Sequence, residues 1–278
     1  MVEKRGWGIW LTHALLVLGI AFICFPIYVT FVASTVTQED IVRPPLPVVP
    51  GDQFIENYSA ALFAGVNVPV LRMLANSLVM AVAIAVGKIA ISLLSAYAIV
   101  YFRFPFRMLC FWTIFITLML PVEVRIVPTY EVVASFGMLN SFAGLTLPLI
   151  ASATATFLFR QFFMTVPDEL VEAARIDGAG PMRFFKDILL PLSRTNIAAL
   201  FVILFIYGWN QYLWPLLITT EPEMNTIVMG IKQMLPTADD WGNWPVTMAT
   251  AILAMVPPVA VVVLMQRLFI KGLIETEK

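Results

Sequence analysis

Three groups of residues in this sequence have types and spacings suited to acting on another molecule. The first is Lys88, the one charge in an apolar run from Met73 to Phe102. An ammonium in hydrocarbon is costly unless paired or wet, so it is a candidate for drawing an anion along a transport path. A lysine that snorkels to the surface or pairs with a neighbour fits the same pattern. The second group is Glu123 and Arg125, set between Pro121 and Pro128. Prolines distort a helix, and irregular backbone at membrane depth lines cavities. A guanidinium there can donate two hydrogen bonds to a phosphate; an outer-interface salt bridge is the plainer alternative. The third group is Tyr207, Asn210, Gln211 and Trp214, at i, i+3, i+4 and i+7 of one expected helix face. Aromatic rings stack on a polyol and amides bond its hydroxyls. An aromatic belt with amides bonding a neighbouring helix explains them equally well.

No constellation for bond-breaking chemistry accompanies these residues. A phosphate-cradling loop needs G-x-x-x-x-G-K-[ST]. The Gly87-Lys88 pair is followed by Ile89 and has Val82 where the first glycine belongs. Neither a metal-ligand cluster nor a nucleophile triad is evident, and the sole histidine, His13, reads as an interfacial residue. A chain without cofactors of its own is expected.

The elements that must position these residues follow from composition. Of 278 residues, 60% are apolar and 13% charged, against about 45–50% and about 25% in soluble domains. A compact core of this length cannot hide the surplus, so the chain reads as an all-α integral membrane protein. The net charge of −1 excludes the basic excess that a nucleic-acid partner requires. Cys24 and Cys110 lie in apolar runs and behave as small hydrophobes.

A crossing helix needs about 20 apolar residues. Six spans are expected: within Gly6–Gln38, Met73–Phe102, Met108–Val122 (continuing past Pro121), Val132–Phe159, Thr195–Thr220 and Trp241–Gln266. The first has an apolar region longer than the roughly 7–15 residues of a signal peptide, so an anchor is expected. With the N-terminus inside, twelve lysines and arginines face the cytoplasm and four face outward. Cytoplasmic loops retain positive charge, so both termini are expected inside. A short helix is expected from Phe54 to Phe63, and the whole chain, 1–278, is expected to be one permease domain.

The single long cytoplasmic loop, 164–194, carries the sharpest signal. Thr165 and Asp168 have capping-box spacing, with Pro167 in a first turn. Asp168, Glu169 and Glu172 then suit the positive end of the helix dipole. The helix is expected to run to about Asp177 and stop at Gly178. Gly180-Pro181 opens a second helix with an apolar stripe at Phe184, Phe185, Ile188 and Leu189, ended by Pro191.

The spacing Glu172-Ala173-Ala174, then Gly178, then Ile188 and Leu190-Pro191, resembles the signature of permease subunits of ATP-binding-cassette importers. FIYGWNQYLWPLLI in the fifth span resembles the carbohydrate-uptake, maltose-type branch. RFPFR, LMLPVEVRIVPT, ATATFLFRQFFMTVPDELVEAARIDGA and MQRLFIKGL are most similar to second permease subunits of sn-glycerol-3-phosphate importers. That likeness covers the chain from about Leu71 onward.

The resemblance implies a type I importer permease in the bacterial inner (cytoplasmic) membrane, multi-pass and surrounded by lipid. It implies a heterodimer with a second homologous permease, a dimer of ATPase subunits that binds ATP and Mg2+, and a periplasmic substrate-binding protein. It also implies that the loop docks into the ATPase. Glu172 would be the charged contact, Ala173 and Ala174 would permit close approach, and Gly178 would form the turn, with Asp177, Leu190 and Pro191 completing the motif. The expected substrate is sn-glycerol-3-phosphate or a related glycerophosphodiester; a neutral sugar or oligosaccharide is the alternative. A self-sufficient carrier would need intramembrane acids and an inverted repeat, and a membrane enzyme would need clustered catalytic side chains; neither is evident in the sequence.

Overall fold

A computed structural model describes residues 7–64, 68–117, 122–236 and 242–275, without the side chains of 7, 122–123 and 267–275. Every regular element among the described residues is helical. In chain order these are α1 (Trp7–Ala33), α2 (Gln38–Val42), α3 (Phe54–Ser59) running into a π turn at Ala60–Ala64, α4 (Val70–Tyr101), α5 (Arg107–Ile116), α6 (Val122–Ser135), α7 (Phe142–Thr146) and α8 (Ala153–Phe163). There follow α9 (Asp168–Ile176), α10 (Pro181–Phe184), α11 (Leu190–Leu192), α12 (Arg194–Trp209), α13 (Leu213–Ile218), α14 (Ile227–Gln233) and α15 (Trp244–Glu275).

Among the described residues three helices are long and apolar enough to cross a bilayer: Gly8–Ala33, Val70–Tyr101 and Trp244–Gln266. Two bent pairs raise the number to five if each is one span. The expected fourth span is one such pair, in which α7 and the 3-10 turn Leu147–Leu149 meet α8 at 48°. The other joins Pro181–Leu192 to α12 at 71°. The expected third span corresponds to α5, which is ten residues long. At 1.5 Å per residue it covers about 15 Å, half of the roughly 30 Å of hydrocarbon. Residues 118–121 of that span lie outside the described residues, and past Pro121, where the span is expected to continue, the chain is helical as α6.

The chain forms two compact units. One comprises Met1–Arg72 with Gly230–Val256. In it α1 turns nearly all its large side chains outward, Phe22 being 81% exposed, as suits a helix solvated by lipid. Its end is held by the Asn57 amide, which donates to the carbonyls of Ser34 and Val36 at 3.1 and 3.0 Å. Thr37 and Asp40 form a capping box on α2. Hydrogen bonds from the Thr37 hydroxyl, then the Thr37 backbone, hold the Asp40 carboxyl below its ordinary range. Gln38 donates to the Gly242 carbonyl at 3.1 Å and accepts from the Trp244 N–H at 2.9 Å, fixing the start of α15.

The second unit, Met73–Met229 with Pro257–Lys278, is built around α4. Its core joins Met80 and Ile84 to Val133, Leu145, Trp214 and Ile218. At Gly208 the backbones of α12 and α4 nearly touch: a Cβ there would lie 2.9 Å from the Ala81 Cα. Without a hydrophobic force between helices in lipid, small residues of this kind set the approach. Gly208→Val is expected to cost about 1–3 kcal/mol by overpacking, seen as a lower melting temperature in detergent; an unchanged value would show that the helices simply move apart.

Candidate functional site

α4 is a 32-residue helix without proline, and it carries Lys88 into the second unit with 7% of its surface exposed. The Lys88 ammonium lies over the Tyr207 ring, 3.8 Å from its centroid. Such a contact stabilises a desolvated cation by about 2 kcal/mol, which answers how the charge is tolerated. Lys88, Arg125, Thr129, Tyr207, Gln211 and Trp214 line one cavity of about 310 Å³, closed by Pro148, Leu149 and Ala151. Arg125 itself is exposed on α6. No carboxylate is among the described residues that line the cavity. The Glu123 side chain, also expected here, lies outside the described residues.

The expected single face through Tyr207, Asn210, Gln211 and Trp214 does not exist. α12 stops at Trp209 with Asn210 as its cap, and α13 begins at Leu213. Pro215 favours the break, since in a continuous helix its ring would strike the Gln211 carbonyl, although Pro26, Pro128 and Pro257 are accommodated inside α1, α6 and α15. The break places Pro215 in the first turn of α13, where no donor is needed. Gln211 turns back to donate to the Tyr207 carbonyl at 3.1 Å, and the Trp214 indole donates to the Gly144 carbonyl at 3.2 Å. Tyr207, Gln211 and Trp214 therefore still meet at the cavity, while Asn210 is exposed and does not line it.

The loop 164–194 departs from expectation at its start. Thr165 does not cap α9; its hydroxyl donates back to the Phe162 carbonyl at 2.7 Å. Pro167, in extended conformation, is the N-cap residue rather than part of the first turn. The residue before a proline is disfavoured in the helical region, which favours a start after Val166, although Trp244 before Pro245 does open α15. The end of α9 is as expected. Gly178 has φ +72°, its N–H donates to the Arg175 carbonyl, and the Ala179 N–H donates to the Ala174 carbonyl. These two bonds make a Schellman motif, for which glycine is the natural residue.

Glu172, Ala173, Asp177 and Gly178 are exposed on the outer side of α9, whereas Ala174 is 5% exposed and faces inward. Pro191 does not end the second helix. The chain widens into a π turn at Phe185–Leu189 and passes through Leu190 and Pro191 to Leu192, turning at Ser193. A π turn absorbs the bond that a proline cannot make. Phe184 and Leu189 are buried and Phe185 and Ile188 half-buried, so the apolar stripe faces inward.

The structure brings further residues to these sites that the sequence patterns did not single out. Thr129 and Pro148 line the first cavity. Tyr97, Tyr101, Arg103 and Arg175, with Ala174 and Pro181, line a second cavity of about 540 Å³ beneath the loop. Ile176, 86% exposed beside Asp177, is a bare apolar residue on the outer face. Its signal was available: an isoleucine on the polar side of an otherwise regular short helix.

Residues 88–275 match the family described as binding-protein-dependent transport system inner membrane component. The chain is 64% identical over 282 residues to the sn-glycerol-3-phosphate transport system permease protein UgpE of Rhizobium meliloti, with all of both chains covered. Identity is 63% to that of Brucella melitensis and 59% to that of Escherichia coli O1:K1, again over full lengths. Among solved structures it superposes on a chain of a bacterial ABC transporter involved in the import of the acidic polysaccharide alginate. The TM-score is 0.81 at 19% identity, covering 96% of this chain and 99% of that one. A second structure, with an alginate pentasaccharide-bound periplasmic protein, gives 0.61 at 16%, covering 94% and 96%. At those identities the likeness concerns the fold alone. The full-length relatives and the matched family together place this chain among the inner-membrane components of binding-protein-dependent transport systems, as a multi-pass permease subunit of an ATP-binding-cassette importer.

Proposed function

We propose that this subunit forms half of the pathway through which an importer takes up sn-glycerol-3-phosphate or related glycerophosphodiesters. The observation that carries this is the pair Lys88 and Arg125 on one cavity whose described lining holds no carboxylate. Two cations suit a phosphoester better than a neutral sugar. The names of the full-length relatives support the same substrate.

In this reading the six spans are the three long helices, the two bent pairs and the segment through α5, with both termini cytoplasmic and the chain working as one permease domain. Lys88 lies thirteen residues before the end of α4 and Tyr207 thirteen after the start of α12. Each is thus about 20 Å from the inner end of its helix, and the cavity sits well inside the bilayer. Loop 164–194 docks on the ATPase dimer through Glu172, Ala173, Asp177 and Gly178, while Ala174, Leu190 and Pro191 support it from within. ATP and Mg2+ belong to that partner, and the second permease and a periplasmic binding protein complete the importer.

Uptake of labelled glycerol-3-phosphate against maltose by the reconstituted complex tests this. Glycerol-3-phosphate is expected to accumulate and maltose not; the reverse would establish the neutral-sugar reading.

A further inference from the structure

We infer that the hydrogen bond from the Tyr97 hydroxyl to the Pro181 carbonyl is the link through which the loop moves α4, so that Tyr97 is a positioning residue for transport. The inference rests on the coupling role proposed for the loop. The bond is 2.7 Å long. Tyr97 is buried, with its ring against Phe185 at 4.9 Å and Phe102 at 5.2 Å. The Pro181 carbonyl already accepts the N–H of Phe185, so it does not need the tyrosine for its own satisfaction. A phenylalanine would fill the same aromatic pocket. What the hydroxyl adds is location: it ties the first residue of α10 to the inner end of α4.

The connectivity gives that tie its consequence. α9 and α10 are separated by Gly178, at φ +72°, and Gly180, neither of which has an atom within 4 Å of where a Cβ would lie. α9 is joined to α10 through a short hydrogen-bonded turn, while α10 is held to α4. From α10 the chain runs without a loop through the π turn and α11 into α12. A push on the loop thus reaches α4 through Tyr97 and α12 through the chain itself. Those two helices carry Lys88 and Tyr207, whose 3.8 Å contact lies on the cavity wall. Rigid helices transmit such shifts over their length, so the spacing of Lys88 from Tyr207 follows the position of the loop.

The test is Tyr97→Phe in the complete importer in proteoliposomes, with assembly, ATP hydrolysis stimulated by loaded binding protein, and substrate uptake measured together. One neutral hydrogen bond corresponds to about a three- to tenfold effect. Substrate moved per ATP is expected to fall by that factor, with assembly unchanged and hydrolysis within about twofold. Tyr101→Phe is the control, since its hydroxyl reaches the Phe163 carbonyl at 3.3 Å, outside α10; its ratio should stay near wild type. An unchanged ratio in Tyr97→Phe overturns the inference, and so does a loss of assembly or a parallel fall of hydrolysis and uptake, either of which marks a role in stability alone. If Tyr97→Phe is neutral while Gly178→Asp uncouples, only the link fails; if Gly178→Asp also transports normally, the coupling role itself is wrong.

Discussion

Gly178→Asp is expected to cut uptake by the reconstituted importer by at least about 30-fold while leaving the subunit itself folded. The geometry separates the two effects. A Cβ at Gly178 meets no atom within 4 Å, so no clash destabilises the subunit. The residue's φ of +72° costs a non-glycine roughly 1–2 kcal/mol, and less for aspartate or asparagine, whose short polar side chains tolerate that region. What changes is the outer surface of α9, where a carboxylate is added beside the exposed Asp177 and Glu172. An obstructed contact at the centre of an interface typically costs about 2 kcal/mol or more, which corresponds to the stated factor. Gly178→Asn, with similar bulk and no charge, should be milder. ATPase co-purification and uptake measured on the same preparations decide it; normal uptake by the aspartate variant would mean that this turn touches nothing that matters.

Replacing both cations of the cavity, Lys88→Met with Arg125→Ala, should reduce phosphoester uptake by at least about two orders of magnitude. Hydrogen bonds to charged groups contribute roughly 1.5–3 kcal/mol each, and the phosphate would lose both of its charged partners. Methionine retains the unbranched stem of Lys88 and can still lie against the Tyr207 ring, so the packing between α4 and α12 is spared. Hydrolysis stimulated by the binding protein should persist, because the loop 164–194, proposed to meet the ATPase, is untouched. Uptake equal to wild type would remove both residues from the pathway and leave Lys88 as a cation stabilised by an aromatic ring and nothing more.

How far such sites can be read from sequence is visible in two identical spacings. Thr37 and Asp40 form a capping box, whereas Thr165 and Asp168 do not. The difference lies at Pro167, which disfavours the helical conformation in the residue before it and is itself the N-cap of α9. That rule is local and could have been applied to the sequence. The break after Trp209 is favoured by Pro215, although apolar composition alone made the segment look continuous. By contrast, nothing local indicated that Tyr97 would reach Pro181, 84 residues away, or that Thr129 and Pro148 would close a cavity around Lys88.

Composition and spacing by themselves determined that the chain is helical and membrane-borne, and where the short helix α9 would end. These are consequences of solvent and of backbone conformation: a lipid-facing surface must be apolar, and a left-handed turn favours glycine. They act residue by residue and survive any arrangement of the helices. Only the tertiary structure decided which polar residues share a cavity. Lys88, Arg125 and Tyr207 meet because α4, α6 and α12 pack against one another, with Gly208 allowing α12 to approach Ala81. That packing depends on pairs of surfaces distant in sequence, and no single segment contains the information to specify it.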